Sequence, residues 1–442
     1  MDCPETPPLS IWIVNPADAI PGEGLPASRS ESLVRVLAER GHDVTWWTSS
    51  WSQRRKASRM AAIRGFSDEK FAVKLVAVRP YAGEVSLARL ASHRDFGRTF
   101  ERLANESVAT GQLERPDIIL ASLPPLEGPE AAARLADRLD ATLVVDVTEP
   151  WPTALERLLP GPRWLQRPIA ALLFGSLAAR SRTVFEVADA VSAAAQAHLD
   201  SLPEAAVRAR PTHVCHVGAW VAEFPPPPRV IAEVPMAVTD GPAADRAVRR
   251  LECICDVTGH DAAALDTLAN AVRAVSSAGI SATIHVVIPG DGDPGSRRIS
   301  AAAGGSCDVR VHGPLDRAAY VRLLASCDVA ILLGRDGAAV AVPGEVFEPA
   351  AAGLALVSPW TGELERCIAD HRAGVRYDAG SGESLARALA GLAGDPTAVA
   401  VMRQGARRMA ESEFDREHTY SRFAAWIEGL ATTGAAGRVM PG

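Results

Sequence analysis

The feature that most constrains this chain is a rhythm that runs through it twice. Short apolar runs alternate with stretches of helical spacing, and that alternation is the pattern of a parallel sheet with helices on both faces. In the first half the strand-like runs are "LSIWIVNP" (9–16), "GHDVTWWTS" (41–49), "FAVKLVAV", "PDIILAS" and "ATLVVDV", with another starting near Ala190. A helix is expected over about 28–40, stopped by Gly41. The second half restarts the rhythm with "RLECICDV" (250–257), "ATIHVVIPG" (282–290), "VRVHG" (309–313) and "VAILLG" (329–334). Between the halves stands "FPPPPR" (224–229). Four consecutive prolines cannot join a helix or a central strand, so this stretch reads as a stiff polyproline connector.

A chain of 442 residues is too long for one ordinary core. The expected fold class is therefore α/β, with two Rossmann-like, doubly wound domains facing a central cleft. The boundaries read as 1–224 for the first domain, 225–229 for the linker and 230–412 for the second domain. A C-terminal helix follows over 413–432, then a frayed tail over 433–442. Tyr420, Phe423, Ala424, Ile427 and Leu430 recur at helical spacing, so one face of that helix is expected to be buried.

Composition narrows the function classes. A net charge of -7 lacks the clustered cations of a nucleic-acid footprint. The seven cysteines form no C-x-x-C, and Cys253 and Cys255 are expected on opposite faces of a strand, which leaves them as buried thiols rather than metal ligands. No metal is expected. The acidic, Pro-rich start "MDCPETPPLS" is no secretory signal, and the expected location is cytoplasmic. "RPIAALLFGSLAAR" (167–180) falls short of the roughly 20 residues that span a bilayer and reads as a core helix, with contact at a membrane surface the less favoured reading.

In open α/β sheets ligands sit outside the carboxyl ends of strands, so the loops there hold the candidates. Gly22 and Gly24, in "PGEGLPASR", lie between a strand and a helix start that can receive an anion. The loop lacks G-x-G-x-x-G, which disfavours a dinucleotide cofactor. "IPGDGDPGSRR" offers Gly290, Arg297 and Arg298, and "LGRDG" offers Arg335. "VPGEVFEPAAAGLALVS" (342–358) places Gly344, Glu345, Val346 and Glu348 ahead of a short helix expected to begin at Pro349. The helix dipole alone can explain Glu345, whereas a carboxylate at the position of Glu348 can accept from two vicinal hydroxyls, as proteins hold a ribose. "WSQRRKASR" (51–59) is basic with an aromatic beside it, and reads as a solvated loop or a contact for an anionic or lipid ligand.

The stretch from Val342, extended as "VPGEVFEPAAAGLALVSPWTGELERCI", resembles the P-x-K-x-F-E-x-x-A-A-G-x-P-V-V segment of retaining GT-B glycosyltransferases of the large family-four group. "GLPASRSESLVRVLAERGHDVTWWTSS", "PDIILASLPPLEGPEAAARLADRLDATLVVDVTEPWP", "DVRVHGPLDRAAYVRLLASCDVAILL" and "DPTAVAVMRQGARRMAESEFDREHTYSRF" extend the resemblance along most of the chain. It implies a nucleotide-sugar donor held mainly by the second domain and a small-molecule or lipid-linked acceptor held mainly by the first. It also implies front-face displacement with retention, without metal, cofactor or covalent nucleophile. Glu348 matches the second Glu of the family's E-x7-E motif, which holds the ribose. Arg29, Glu149 and Trp151 are the expected acceptor contacts, and the final helix is expected to return to the first domain.

Departures from the pattern cluster at the donor site. The first Glu of E-x7-E falls at Val340, the family's diphosphate-binding Arg and Lys align near Thr258 and Ala263, and the Lys of P-x-K-x-F-E is Glu345. Losing two charge-assisted hydrogen bonds, each worth roughly 1.5–3 kcal/mol, would weaken phosphate binding about a hundred- to ten-thousandfold. Arg335, Arg297, Arg298 and His260, in "TGHD", are the candidate replacements, with His260 also the candidate catalytic group at the leaving diphosphate. The drift suggests natural-product biosynthesis. It also keeps open a homologue of altered reaction (epimerase-like, or with a non-sugar donor) and a non-catalytic partner that has lost its cations.

Overall fold

The computed structural model describes residues 7–25, 27–60, 70–83, 86–151, 163–208, 210–228, 250–288, 290, 294–334 and 342–437. Arg335 and Val340 lie outside these residues. The chain divides into two compact units, Met1–His216 with His418–Gly442, and Val217–Glu417.

The first unit is built on β1 (Ser10–Val14), β2 (Asp43–Ser49), β5 (Phe71–Val76), β6 (Ile118–Leu123), β7 (Thr142–Val147), β8 (Ala190–Ala193) and β9 (Thr212–Val214); β3 (Trp51–Ser52) and β4 (Ala57–Ser58) form a small antiparallel hairpin beside it. The seven strands pair in the order β5-β2-β1-β6-β7-β8-β9, all parallel. The order reverses at β1, whose two neighbours are β2 and β6. Trp12 and Val14 enter one apolar layer and Ile11 and Ile13 the other, so both faces of β1 are covered. That is why the strand reads as a continuous apolar run.

The second unit repeats the plan with β10 (Leu251–Asp256), β11 (Ala282–Val287), β12 (Cys307–His312), β13 (Val329–Ile331), β14 (Ala355–Ser358) and β15 (Gly374–Arg376), paired in the order β12-β11-β10-β13-β14-β15 and all parallel. Its reversal falls at β10. Cys253 and Cys255 share one apolar layer while Ile254 enters the other. The expectation of opposite faces is therefore corrected, because residues two apart on a strand point the same way. Both are buried free thiols, and burial pushes both far above the usual thiol range. No described helix is long and apolar enough to cross a membrane.

The division between units falls at His216/Val217 and Glu417/His418, against the expected 224/225 and 412/413. Ala219, Val221 and Phe224 explain the first shift, since all three are buried in an apolar layer of the second unit. The proline run itself is docked on that unit. Gln404 donates to the Pro228 carbonyl at 2.8 Å, and Arg407 to the Phe224 carbonyl at 2.9 Å. Gly353 is what lets it lie so close: a Cβ there would stand 2.6 Å from Cγ of Pro227, and φ is +68°. The last helix, Arg416–Gly437, buries Tyr420, Phe423, Ala424, Ile427 and Leu430 in the first unit. It stays helical through 433–437, where a frayed tail was expected, and residues 438–442 lie outside the described ones.

Candidate functional site

In the second unit the chain leaves β10 through a tight turn. The Thr258 amide donates to Oδ1 of Asp256 at 2.8 Å, Gly259 adopts φ +81°, and the His260 amide donates to the Val257 carbonyl at 3.2 Å. The helix Ala262–Ser277 starts immediately, with Oδ1 of Asp261 accepting from the Ala264 amide at 2.9 Å. Thr258, Gly259 and His260 therefore lie at a helix N-terminus, at the strand end where the sheet reverses. This is the combination that receives anions in doubly wound folds. Ala263 is exposed on the first turn of that helix.

The segment singled out by its two glutamates begins with a tight turn, Gly344–Val346, and runs straight into the helix Phe347–Ala351. The helix thus starts two residues before Pro349, and Glu348 sits in its first turn rather than ahead of it. Val346 is fully buried in the core, which anchors the turn and gives its side chain a packing role. Gly344 has open space around its Cα.

Each glutamate has a partner. Oε2 of Glu345 lies 3.2 Å from Nε2 of His260. Burial alone would push the His260 ring down, but the hydrogen bond and charge of Glu345, with Asp256 and Asp261 nearby, outweigh it and raise the pKa above 6.5. Oε1 of Glu345 is buried and bonds no described residue. Oε1 of Glu348 accepts from Nη1 of Arg317 at 2.6 Å. The same guanidinium donates twice to Glu223, through Nε at 3.0 Å and through Nη2, and its centre lies 5.3 Å from the centre of the Phe224 ring. Glu345 also faces a cavity of about 20 Å³ walled in part by Asp256, Tyr320 and Pro349. That is room for roughly one water.

The cations proposed as replacements fare differently. Arg298 is engaged at the surface with Asp266 at 3.1 Å, and Arg297 is exposed on the helix Pro294–Ala302. Gly290 is described with open space around it. Arg317 was missed. It opens the helix Arg317–Ser326 directly behind Asp316, whose carboxylate caps it, at the carboxyl end of β12. The rule that ligands gather at strand ends could have flagged it in "HGPLDRAAY".

In the first unit, Arg29 is corrected from acceptor contact to core. Its fork closes on Asp146, Nε to Oδ2 at 2.9 Å and Nη2 to Oδ1 at 2.8 Å, while Nη1 donates to the Cys215 carbonyl. Ser192 adds a hydrogen bond to Oδ1 of Asp146 at 2.7 Å. Arg29 and Asp146 are 6% and 3% exposed, so no ligand reaches them. Glu149, just past the end of β7, is exposed, and Trp151 beside it is half-buried. Gly22 and Gly24 take φ +84° and +69° in a loop clamped from beneath by Arg59. That buried guanidinium donates to Asp18 O at 2.6 Å and Thr48 Oγ1 at 2.8 Å, and pairs with Glu23 at 3.3 Å. Arg59 of the basic stretch thus turns inward to build the loop, the exposed Arg55 donates to the Glu23 carbonyl at 2.7 Å, and Arg54 and Lys56 are exposed. Among the described residues no group of three His, Cys, Asp or Glu is placed to hold a metal ion.

Residues 251–395 match the glycosyl transferases group 1 family. They carry a glycosyl transferases group 1 domain. This domain contains the turn after β10, Arg317 and both glutamates. Among solved structures, the chain resembles sucrose-phosphate synthase from Thermosynechococcus elongatus, with a TM-score of 0.67 at 12% identity over 96% of this chain and 100% of that one. It also resembles Anabaena HepE in complex with UDP-glucose, with a TM-score of 0.59 at 14% identity over 95% and 100%. A putative UDP-N-acetylglucosamine 2-epimerase from Listeria monocytogenes gives 0.54 at 11% identity over 96% and 97%. At these identities the likeness establishes the fold, which is GT-B, with the glycosyl transferases group 1 domain as its second unit. No curated protein matches the sequence.

Proposed function

We propose that the protein is a glycosyltransferase that moves a sugar from a nucleoside diphosphate sugar to a small-molecule or lipid-linked acceptor, with retention and without metal. The observation that carries the reading is the placement of Glu348 on a short helix of the group 1 domain, in the same domain as the helix N-terminus behind Thr258–Gly259–His260. A carboxylate suits ribose hydroxyls, and amide groups at a helix start suit a diphosphate. Among the described residues only Arg317 bonds Glu348, at Oε1, so Oε2 is left to accept from a hydroxyl. His260, in the turn directly before the helix start, takes the place of the family's arginine and lysine at the leaving group. The acceptor proton passes to the leaving diphosphate as the new glycosidic bond forms on the face the diphosphate leaves. Glu149 and Trp151, at the carboxyl end of β7, are the acceptor contacts. The UDP-glucose complex of HepE makes UDP-glucose the first donor to try.

The test is a thermal-shift panel without metal, wild type beside Glu348→Ala, against UDP, GDP, ADP, dTDP and CDP. A selective upward shift that the variant loses supports a ribose site and names the base. The matching nucleotide sugars are then offered with acceptor mixtures. No shift with any nucleotide would remove the reading and leave a non-catalytic partner or an altered donor in its place.

A further inference from the structure

The reversed charge at Glu345 needs its own account, because a carboxylate cannot do the work of the lysine the family pattern puts there. Its carboxylate is instead engaged within the protein. Oε2 is taken by His260, Oε1 is buried, and the residue lines a cavity of about 20 Å³, room for roughly one water. Whatever Glu345 does for a donor, it does through the histidine.

We propose that Glu345 is a positioning residue: by holding Nε2 of His260 it turns the opposite ring nitrogen, Nδ1, into a proton-gated donor for the diphosphate of a nucleotide sugar. This inference rests on the function proposed above and deepens it.

The argument starts from what a carboxylate can accept. Glu345 offers acceptors only, so Nε2 of His260 carries a hydrogen whenever the 3.2 Å contact is made. The neutral ring then has a bare lone pair at Nδ1, which repels a phosphate oxygen. The charged ring has an N–H there, which attracts and donates to one. Nδ1 bonds no described residue. Both anchors are stiff: the His260 backbone closes a turn on Val257 ahead of a capped helix, and Glu345 sits beside the buried Val346. The charged groups facing the ring are Glu345, Asp256 and Asp261, all acidic and all favouring its protonated form. Cys255 and Tyr377, which face Glu345, are pushed up by burial and stay neutral. Tyr320, facing Asp256, is likewise pushed up. The charged form of His260 therefore persists to higher pH than in a free histidine, and diphosphate binding should fall as pH rises through the raised value. A glutamine at 345 would remove the charge and also accept either tautomer, so Nδ1–H would survive in part of the neutral population.

The experiment uses the full chain. The His260 ring is titrated by NMR, and the affinities of UDP-glucose and of uridine are measured by calorimetry from about pH 5.5 to 8.5, the range in which histidine titrates. UDP-glucose is chosen because its diphosphate, esterified at both ends, keeps a constant charge there. In the wild type, UDP-glucose should weaken about tenfold per pH unit above the ring's pKa, as one coupled proton requires, while uridine stays level. Glu345→Gln should lower the ring's titration point and flatten the UDP-glucose profile. His260→Arg should keep UDP-glucose binding and lose its pH dependence. A wild-type profile as flat as that of His260→Arg overturns the inference alone, as does an unmoved His260 titration in Glu345→Gln. Failure of the wild type to bind UDP-glucose and every nucleoside diphosphate of the panel overturns the proposed function, and the diphosphate role with it.

Discussion

Two arginine–carboxylate pairs, one in each unit, are put to opposite ends. Arg29 and Asp146 are 6% and 3% exposed, and both oxygens of Asp146 are taken, one of them also by Ser192. Arg317 and Glu348 are 40% and 31% exposed, and Glu348 spends one oxygen on the pair while the other bonds no described residue. A pair that is buried and saturated can only hold a fold together. A pair that is half-exposed and keeps an acceptor in reserve can still meet a ligand. Residue type does not separate the two arginines; saturation does.

Breaking the buried fork should have the largest effect. Arg29→Met strands the Asp146 carboxylate in the core and should cost about 3–5 kcal/mol in urea denaturation, while the double variant Arg29→Met/Asp146→Leu should recover most of it. A loss under about 1 kcal/mol, together with weakened acceptor use, would return Arg29 to the acceptor site. The exposed pair should answer the other way. Glu348→Ala removes the charge-assisted hydrogen bond from a ribose hydroxyl to Oε2, worth about 1.5–3 kcal/mol, and should weaken nucleotide binding about ten- to a hundredfold. Its melting temperature should move by no more than a few degrees. A large drop in melting temperature with binding intact would make Glu348 structural and erase the contrast.

How far the sequence reached follows the same line. The strands of both sheets were legible because runs such as Ile11–Val14 are covered on both faces, and burial on both faces leaves nothing but apolar residues to write. The two glutamates were legible as a motif on a strand-to-helix connection. What the sequence hid were pairings across long separations. Nothing near residue 29 announces Asp146, and nothing near 345 announces His260, because each pair is brought together by the crossover of a parallel sheet. Phe224 was read as the edge of a linker since the prolines after it cannot join regular structure. It is buried in an apolar layer of the second unit, and the prolines behind it dock where Gly353, lacking a Cβ, makes room for Pro227. Arg317 was overlooked for a simpler reason: it departs from no pattern and stands inside an ordinary capped helix start.

A smaller effect is expected from Arg317→Ala. The pair it breaks is half-exposed, so stability should change by about 1 kcal/mol at most. Nucleotide affinity should fall several-fold less than in Glu348→Ala, since the carboxylate survives but loses the group that orients it. Raising the salt concentration should shrink the difference between Arg317→Ala and wild type, as screening acts on exposed charges. Affinity that rises in Arg317→Ala would mean that Arg317 competes with the ribose instead of orienting its acceptor.

The subtlest test uses a histidine beside the buried fork as the counterpart of His260. His213 stacks against Phe423 and Trp426, the ring centres 5.2 and 5.3 Å away, and Arg29 lies over the same Phe423 ring at 5.3 Å. Burial first, then the charges of Arg29 and Arg422, hold its pKa down at about 4. Unfolding restores a value near 6.5, so the unfolded chain takes up a proton that the folded one refuses. The sign follows: the contribution to stability is intact above about pH 6.5 and is lost as pH falls toward about 4. His260 has the opposite sign. Its pKa is raised above 6.5, so its contribution is intact below that value and fades as pH rises through the folded one. Melting temperature followed across pH should therefore show an acid slope that His213→Phe reduces, and a slope on the alkaline side of neutrality that Glu345→Gln reduces. If His213→Phe leaves the acid slope unchanged, the ring is already protonated in the folded protein, and the cation fixed by Asp146 does not control its surroundings.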